Sequence, residues 1–136
     1  MIGVVVVTHG QLATELQNAA EAIVGDLPQF AAVSIGWHDD MDDAREEIRL
    51  AIGRVQGDGG VLLLTDMFGG TPSNIGLSFL EPDRVEVVTG VNLPMLIKLT
   101  ALRESRDLLA VARELRVTGR DAIHVASDLL RGETRK

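Results

Sequence analysis

The chain has 136 residues, 46% of them hydrophobic and 24% charged, with a formal charge of −7 and no cysteine. That length supports one domain with a real core, and the acidic balance argues against a general binder of nucleic acid or anionic membrane. The missing cysteines exclude disulfides, thiolate zinc sites and thiol nucleophiles, and no apolar run is long enough to cross a bilayer.

The first predicted element is a strand over residues 2–8, built on four consecutive valines and ending in Thr8-His9-Gly10. With Met1 leading straight into that strand and no basic segment before it, neither a signal peptide nor an anchor is expected, and the protein is expected to be cytoplasmic. The following helix places Leu12, Leu16, Ala19, Ile23 and Val24 on one stripe, expected to lie on the sheet. A second strand is predicted over 30–35. It leads into Gly36-Trp37-His38-Asp39-Asp40, where His38 reads as a solvated loop histidine near a crevice mouth. The run Asp39-Asp40-Met41-Asp42-Asp43 lacks the glycine and terminal glutamate of a calcium loop and reads as the acidic start of a helix. That second helix carries Ala44, Ile48, Ala51, Ile52 and Val55 on its buried face.

Gly57-Asp58-Gly59-Gly60 precedes a strand instead of following one, so it is a turn and not a dinucleotide fingerprint. A third strand over 61–65 ends in Thr65-Asp66-Met67-Phe68-Gly69-Gly70-Thr71-Pro72, with Thr71 as the expected cap of a third helix. A strand over 85–89, a helix opening at Asn92-Leu93-Pro94 and a helix over 107–115 follow. After Thr118-Gly119 a last strand is expected over 122–126, containing His124 in a structural role. The alternation predicts an α/β domain over 1–128, a doubly wound and mostly parallel sheet of order 2-1-3-4 with helices on both faces, and a polar tail over 129–136.

In such a sheet ligands bind beyond the carboxyl ends of the strands, where the winding direction reverses. An order beginning 2-1-3 makes the first and third strands neighbours there, so His9 and Asp66 face one another. A carboxylate that takes the proton of one ring nitrogen leaves the other as a nucleophile and stabilises the cation formed when that nitrogen is phosphorylated. Gly10, Gly69 and Gly70 offer backbone N–H groups to phosphate oxygens, and the Thr71 hydroxyl adds a donor. Met67 and Phe68, apolar between polar and glycine neighbours, read as a small docking patch. No metal site or cofactor is expected.

VVVVTHG, LLLTDMFGGTPSN and VVTGVNLPML, in this order, closely resemble the enzyme IIA domains of the mannose family of the bacterial phosphoenolpyruvate-dependent sugar phosphotransferase system. The resemblance implies a phosphohistidine at His9, charged by the small carrier HPr and discharged to a IIB domain for sugar uptake and phosphorylation, with a peripheral link to a membrane permease. It implies that Asp66 is the family's aspartate and Thr71 its phosphate-binding hydroxyl. It also implies a homodimer in which a C-terminal strand is exchanged, which would be 122–126 here. The Met67-Phe68 pair replaces the tryptophan of many sugar-transporting relatives, which keeps open a regulatory phosphorelay module without transport. A class II tetrapyrrole chelatase also has a His-Gly after its first strand, but would carry serine where Gln11 stands and a second metal-binding histidine deeper in the chain, where only His124 is found.

Overall fold

The computed structural model describes residues 1–36 and 39–132. The valine run forms β1 (Gly3–His9), buried from Gly3 to Thr8. Valine suits such a strand because its branched side chain packs on both faces of a sheet that is covered on both sides. β2 (Phe30–Ile35) and β3 (Val61–Thr65) flank β1 in parallel, and β4 (Val85–Thr89) pairs with β3, for an order β2-β1-β3-β4. The strand order and direction are those read from the sequence.

Alternation along β1 divides the core. Val4 and Val6 join a cluster with residues of α1 (Leu12–Val24), α4 (Leu93–Leu99) and α5 (Leu108–Asp121). Val5 and Val7 face the other way, toward α2 (Met41–Val55) and α3 (Thr71–Leu77). Buried Ala44, Ile48, Ala51 and Val55 form the expected stripe of α2, with Ile52 packed at its margin. α4 begins as expected, with the Asn92 side chain accepting from Met95 N–H at 3.2 Å.

Three expectations are corrected. α1 is turned by about one residue: Ala13 and Ala20 are fully buried and Leu16 packs beside them, whereas Leu12 and Ile23 are about half exposed or more. Alanine is apolar enough to form the contact stripe and small enough to bring the helix close to the sheet, which a pattern weighted to large side chains misses. α5 does not stop near 115 but runs through Thr118 and Gly119 to Asp121. Gly119 is used there for close approach: a Cβ would stand 2.6 Å from Met95 Sδ, and its carbonyl accepts from Asn92 Nδ2 at 3.1 Å. Finally, residues 122–126 form no strand within this chain. The backbone turns at Ala122, where N–H bonds to the Thr118 carbonyl finish α5, and α6 (Ala126–Leu130) follows, running across the expected boundary between 128 and 129. His124 is exposed in that connection. His38 lies outside the described residues. Among the described residues no helix is long and apolar enough to cross a membrane.

The sheet's lower end is tied by Arg103, which the sequence pattern does not single out. It is 4% exposed and donates from Nε and Nη2 to the Ile2 carbonyl at 3.0 and 2.8 Å, and from Nη2 to the Gln29 carbonyl at 2.9 Å. Its own carbonyl accepts from Ile2 N–H at 2.7 Å. One guanidinium thus holds the entry to β1 and to β2 together. Arg103→Met keeps the stem but loses these charge-assisted bonds, and is expected to lower unfolding free energy by about 2–3 kcal/mol. Urea titration checks this as a lower midpoint with an unchanged slope.

Candidate functional site

β1 and β3 pair with Val7 opposite Thr65, so both strands leave the sheet at the same level. His9 and Asp66 emerge side by side. Asp66 Oδ2 accepts from the His9 backbone N–H at 3.0 Å and lies 2.8 Å from ring Nδ1, while Oδ1 accepts from Met67 N–H at 3.0 Å. An ionised carboxylate only accepts, so Nδ1 carries a proton and, in the neutral imidazole, the lone pair stands on Nε2. The Asp66 side chain is 13% exposed and that of His9 is 52% exposed: the orienting group is sheltered and the ring is open. Burial pushes the Asp66 carboxyl upward, but the ring hydrogen bond, the backbone N–H of His9, attraction to the ring and the N–H of Met67 outweigh it. Together they hold its pKa below the usual carboxylate value.

The turn that carries His9 is held from beneath. Thr8 is fully buried, and its Oγ1 accepts from Ala13 N–H at 2.7 Å in the first turn of α1, whose cap residue Gln11 makes no side-chain capping bond. A strand residue therefore caps the following helix. Gly10, at φ +54°, gives its N–H to the Ile35 carbonyl at 3.0 Å and so extends the ladder with β2.

Across from the ring runs the loop from Asp66 to Gly70. Gly70 lies against His9 so closely that a Cβ there would stand 3.0 Å from Cε1 and 3.3 Å from Nε2. Thr71 is the first residue of α3, with Gly70 at the cap position, so its expected capping role falls to its neighbour. Thr71 lines the same cleft as His9, an open volume of about 630 Å³ that also touches Gly10, Ile35, Gly36, Asp39, Met41 and Ala44. The expected ring of backbone donors is smaller than foreseen: the N–H of Gly10 is spent on Ile35, and that of Gly69 on Ser73 Oγ at 3.2 Å. Both glycines shape the site, but these two N–H groups point into the fold. Met67 and Phe68, within this loop, are 53% and 73% exposed.

Four contributors were not legible in the sequence. Thr8 and Ser73 act through buried hydroxyls, and nothing in a residue string marks a hydroxyl as inward. Asp39 was grouped with the acidic helix start, yet that cap is Asp40, whose carboxylate accepts from Asp42 N–H at 2.7 Å. Asp39 instead accepts from Gly36 N–H at 2.6 Å and lines the cleft with Met41.

Because the folded-state pKa of Asp66 is depressed, its contribution to stability is complete above the carboxylate's unfolded value and is lost as pH falls through the folded value. Asp66→Asn is therefore expected to be less stable than the parent chain at neutral pH, with the gap closing on acidification. Chemical denaturation of both proteins over a pH series measures it, and a gap that widens toward low pH would contradict the assignment.

Similarity to known proteins agrees with this geometry. Residues 3–115 match the family model described as the PTS system fructose IIA component. The fructose-specific EIIA component of Bacillus subtilis is 30% identical over 131 residues, covering 96% of this chain and 90% of that protein. The mannose-specific EIIAB component of Escherichia coli K12 is 30% identical over 127 residues, covering 90% of this chain but 38% of that longer protein. The solved mannose/sorbose specific IIA subunit of Enterococcus faecalis superposes with a TM-score of 0.80 at 27% identity, covering 91% of this chain and 93% of that one. Neither the chelatase nor the transport-free relay is favoured by these relatives. With its parallel sheet of order 2-1-3-4 and these matches over most of its length, the chain belongs to the mannose family of enzyme IIA components of the sugar phosphotransferase system, phosphocarriers in sugar uptake that act through a phosphohistidine.

Proposed function

We propose that His9 is the phosphorylated histidine, that its Nε2 takes the phosphoryl group from HPr, and that the group then passes to a IIB domain. The observation that carries this is the 2.8 Å contact between His9 Nδ1 and Asp66 Oδ2, which leaves Nε2 as the nucleophilic atom at the cleft. In the forward step the Nε2 lone pair bonds to phosphorus, the nitrogen–phosphorus bond of the donor breaks, and its electron pair returns to the donor's imidazole. The His9 ring, now cationic and still protonated at Nδ1, is stabilised by Asp66. The Thr71 hydroxyl donates to a phosphoryl oxygen, and the backbone at Gly70 defines the wall against which the group sits. Among the described residues no lysine or arginine lines this cleft, which suits a group that must leave again. Met67 and Phe68 are the apolar contact for the incoming carrier, and the work takes place in the cytoplasm beside a membrane permease.

Incubation with phosphoenolpyruvate, enzyme I and HPr is expected to add one acid-labile phosphoryl group, seen by intact mass. His9→Ala should abolish the adduct, and Asp66→Asn should slow its formation by roughly 10- to 100-fold. Labelling of the alanine variant would move the site to another residue.

The dimer implied by the family is proposed with it. β4 is an edge strand, and Ile123 and Val125 are 71% and 64% exposed just past α5, so a second copy could lay residues 122–126 along that edge. Light scattering after gel filtration is expected to give twice the chain mass, and Val125→Asp should shift it to one chain. A monomeric parent protein would end this part of the proposal.

A further inference from the structure

Resting on the His9 reading, we infer that Ser73 is a positioning residue for phosphoryl transfer, holding the Gly69-Gly70 segment against the nucleophilic edge of the ring. The observations are geometric. Ser73 is fully buried, and its Oγ accepts from Gly69 N–H at 3.2 Å. Gly69 stands at φ +85°, a left-handed conformation that glycine adopts without steric cost but that has little local preference to hold it. Gly70, next in sequence, faces the ring so closely that a Cβ there would stand 3.0 Å from His9 Cε1 and 3.3 Å from Nε2. The near end of the loop is tied by Asp66, through its bonds to His9 and Met67. The far end is tied by Ser73 and by the first helical bond, from Asn74 N–H to the Gly70 carbonyl at 2.8 Å.

The physical logic is that of a capping box moved outward by one residue. There the third helical residue reaches back to the cap N–H; here Ser73, third in α3, reaches back to Gly69, the residue before the cap. The bond gives the Gly69 N–H a partner inside the fold and restrains the glycine pair. A loop able to drift by even a fraction of an ångström would change the wall that Nε2 and the arriving phosphorus share. Transfer rates are sensitive to displacements of that size. Ser73 makes no contact with the reacting atoms, so its effect falls on the transfer step more than on carrier docking, which uses the exposed surface.

The test has two parts. In single-turnover transfer from phosphorylated HPr, Ser73→Ala is expected to lower the maximal rate about tenfold while changing the half-saturating HPr concentration less than about twofold. Ser73→Thr, which keeps the hydroxyl, should recover most of the rate. Independently, hydrogen exchange at the Gly69 amide of the unaltered chain is expected to be slowed well below the rate of an unstructured glycine, and to return toward it in Ser73→Ala. A Ser73→Ala protein that transfers at the parent rate overturns the inference. So does a rate loss that Ser73→Thr does not relieve, or an unprotected Gly69 amide in the parent chain. If the alanine variant does not fold, the amide measurement on the parent chain decides alone. A parent chain that takes no phosphoryl group from HPr would instead remove the His9 reading on which the inference stands.

Discussion

The site depends on one hydrogen-bonded contact, between the Nδ1 edge of His9 and a carboxylate 57 residues later in the chain. Asp66 Oδ2 meets both the ring and the backbone N–H of the same histidine, so the imidazole is fixed relative to its own peptide as well as to the neighbouring strand. A side chain with two free torsions is thereby reduced to one orientation. The other ring edge is left toward the cleft that His9 lines, and a negative charge stands beside the imidazole to stabilise positive charge on it.

Everything beneath that contact serves to keep two strand ends level. β1 is buried on both faces, and its valines alternate between two separate apolar clusters, so it cannot slip by one residue without moving each cluster to the wrong side. Arg103 ties the opposite end of the same strand to the start of β2. Above, two buried hydroxyls perform parallel tasks on either side of the ring: Thr8 fixes the start of α1, and Ser73 fixes the far half of the Gly69-Gly70 loop. These bonds are concentrated around the turn that carries His9. Exposed apolar area, at Met67 and Phe68, stands in the loop that follows Asp66.

The four strands of the sheet were legible because buried parallel strands are short β-branched runs bounded by turn residues, and three of them match residue for residue: 30–35, 61–65 and 85–89. The starts of α3 and α4 were legible from proline and asparagine chemistry. The face of α1 was not, since alanines at 13 and 20 carry the contact while larger leucine and isoleucine side chains stay outside. Nor was the end of α5, because Gly119 reads as a break unless Met95 is known to lie 2.6 Å from its missing Cβ. Residues 122–126 have strand composition, but within one chain they form no ladder, because α5 runs on to Asp121 and α6 begins at Ala126.

By its own pattern the sequence determined the fold class, the strand order and the pair His9 and Asp66. These follow from local rules: burial periodicity, turn chemistry, and the tendency of parallel sheets to bring strand ends together at the reversal point. Only the tertiary structure decided which atoms meet. It turned the N–H groups of Gly10 and Gly69 inward, brought Gly70 against Nε2, and enlisted Thr8, Ser73 and Arg103 through bonds made inside the protein. A hydrogen bond needs both partners within about 3 Å and aligned, and that condition is set by packing between elements distant in the chain rather than by any residue alone.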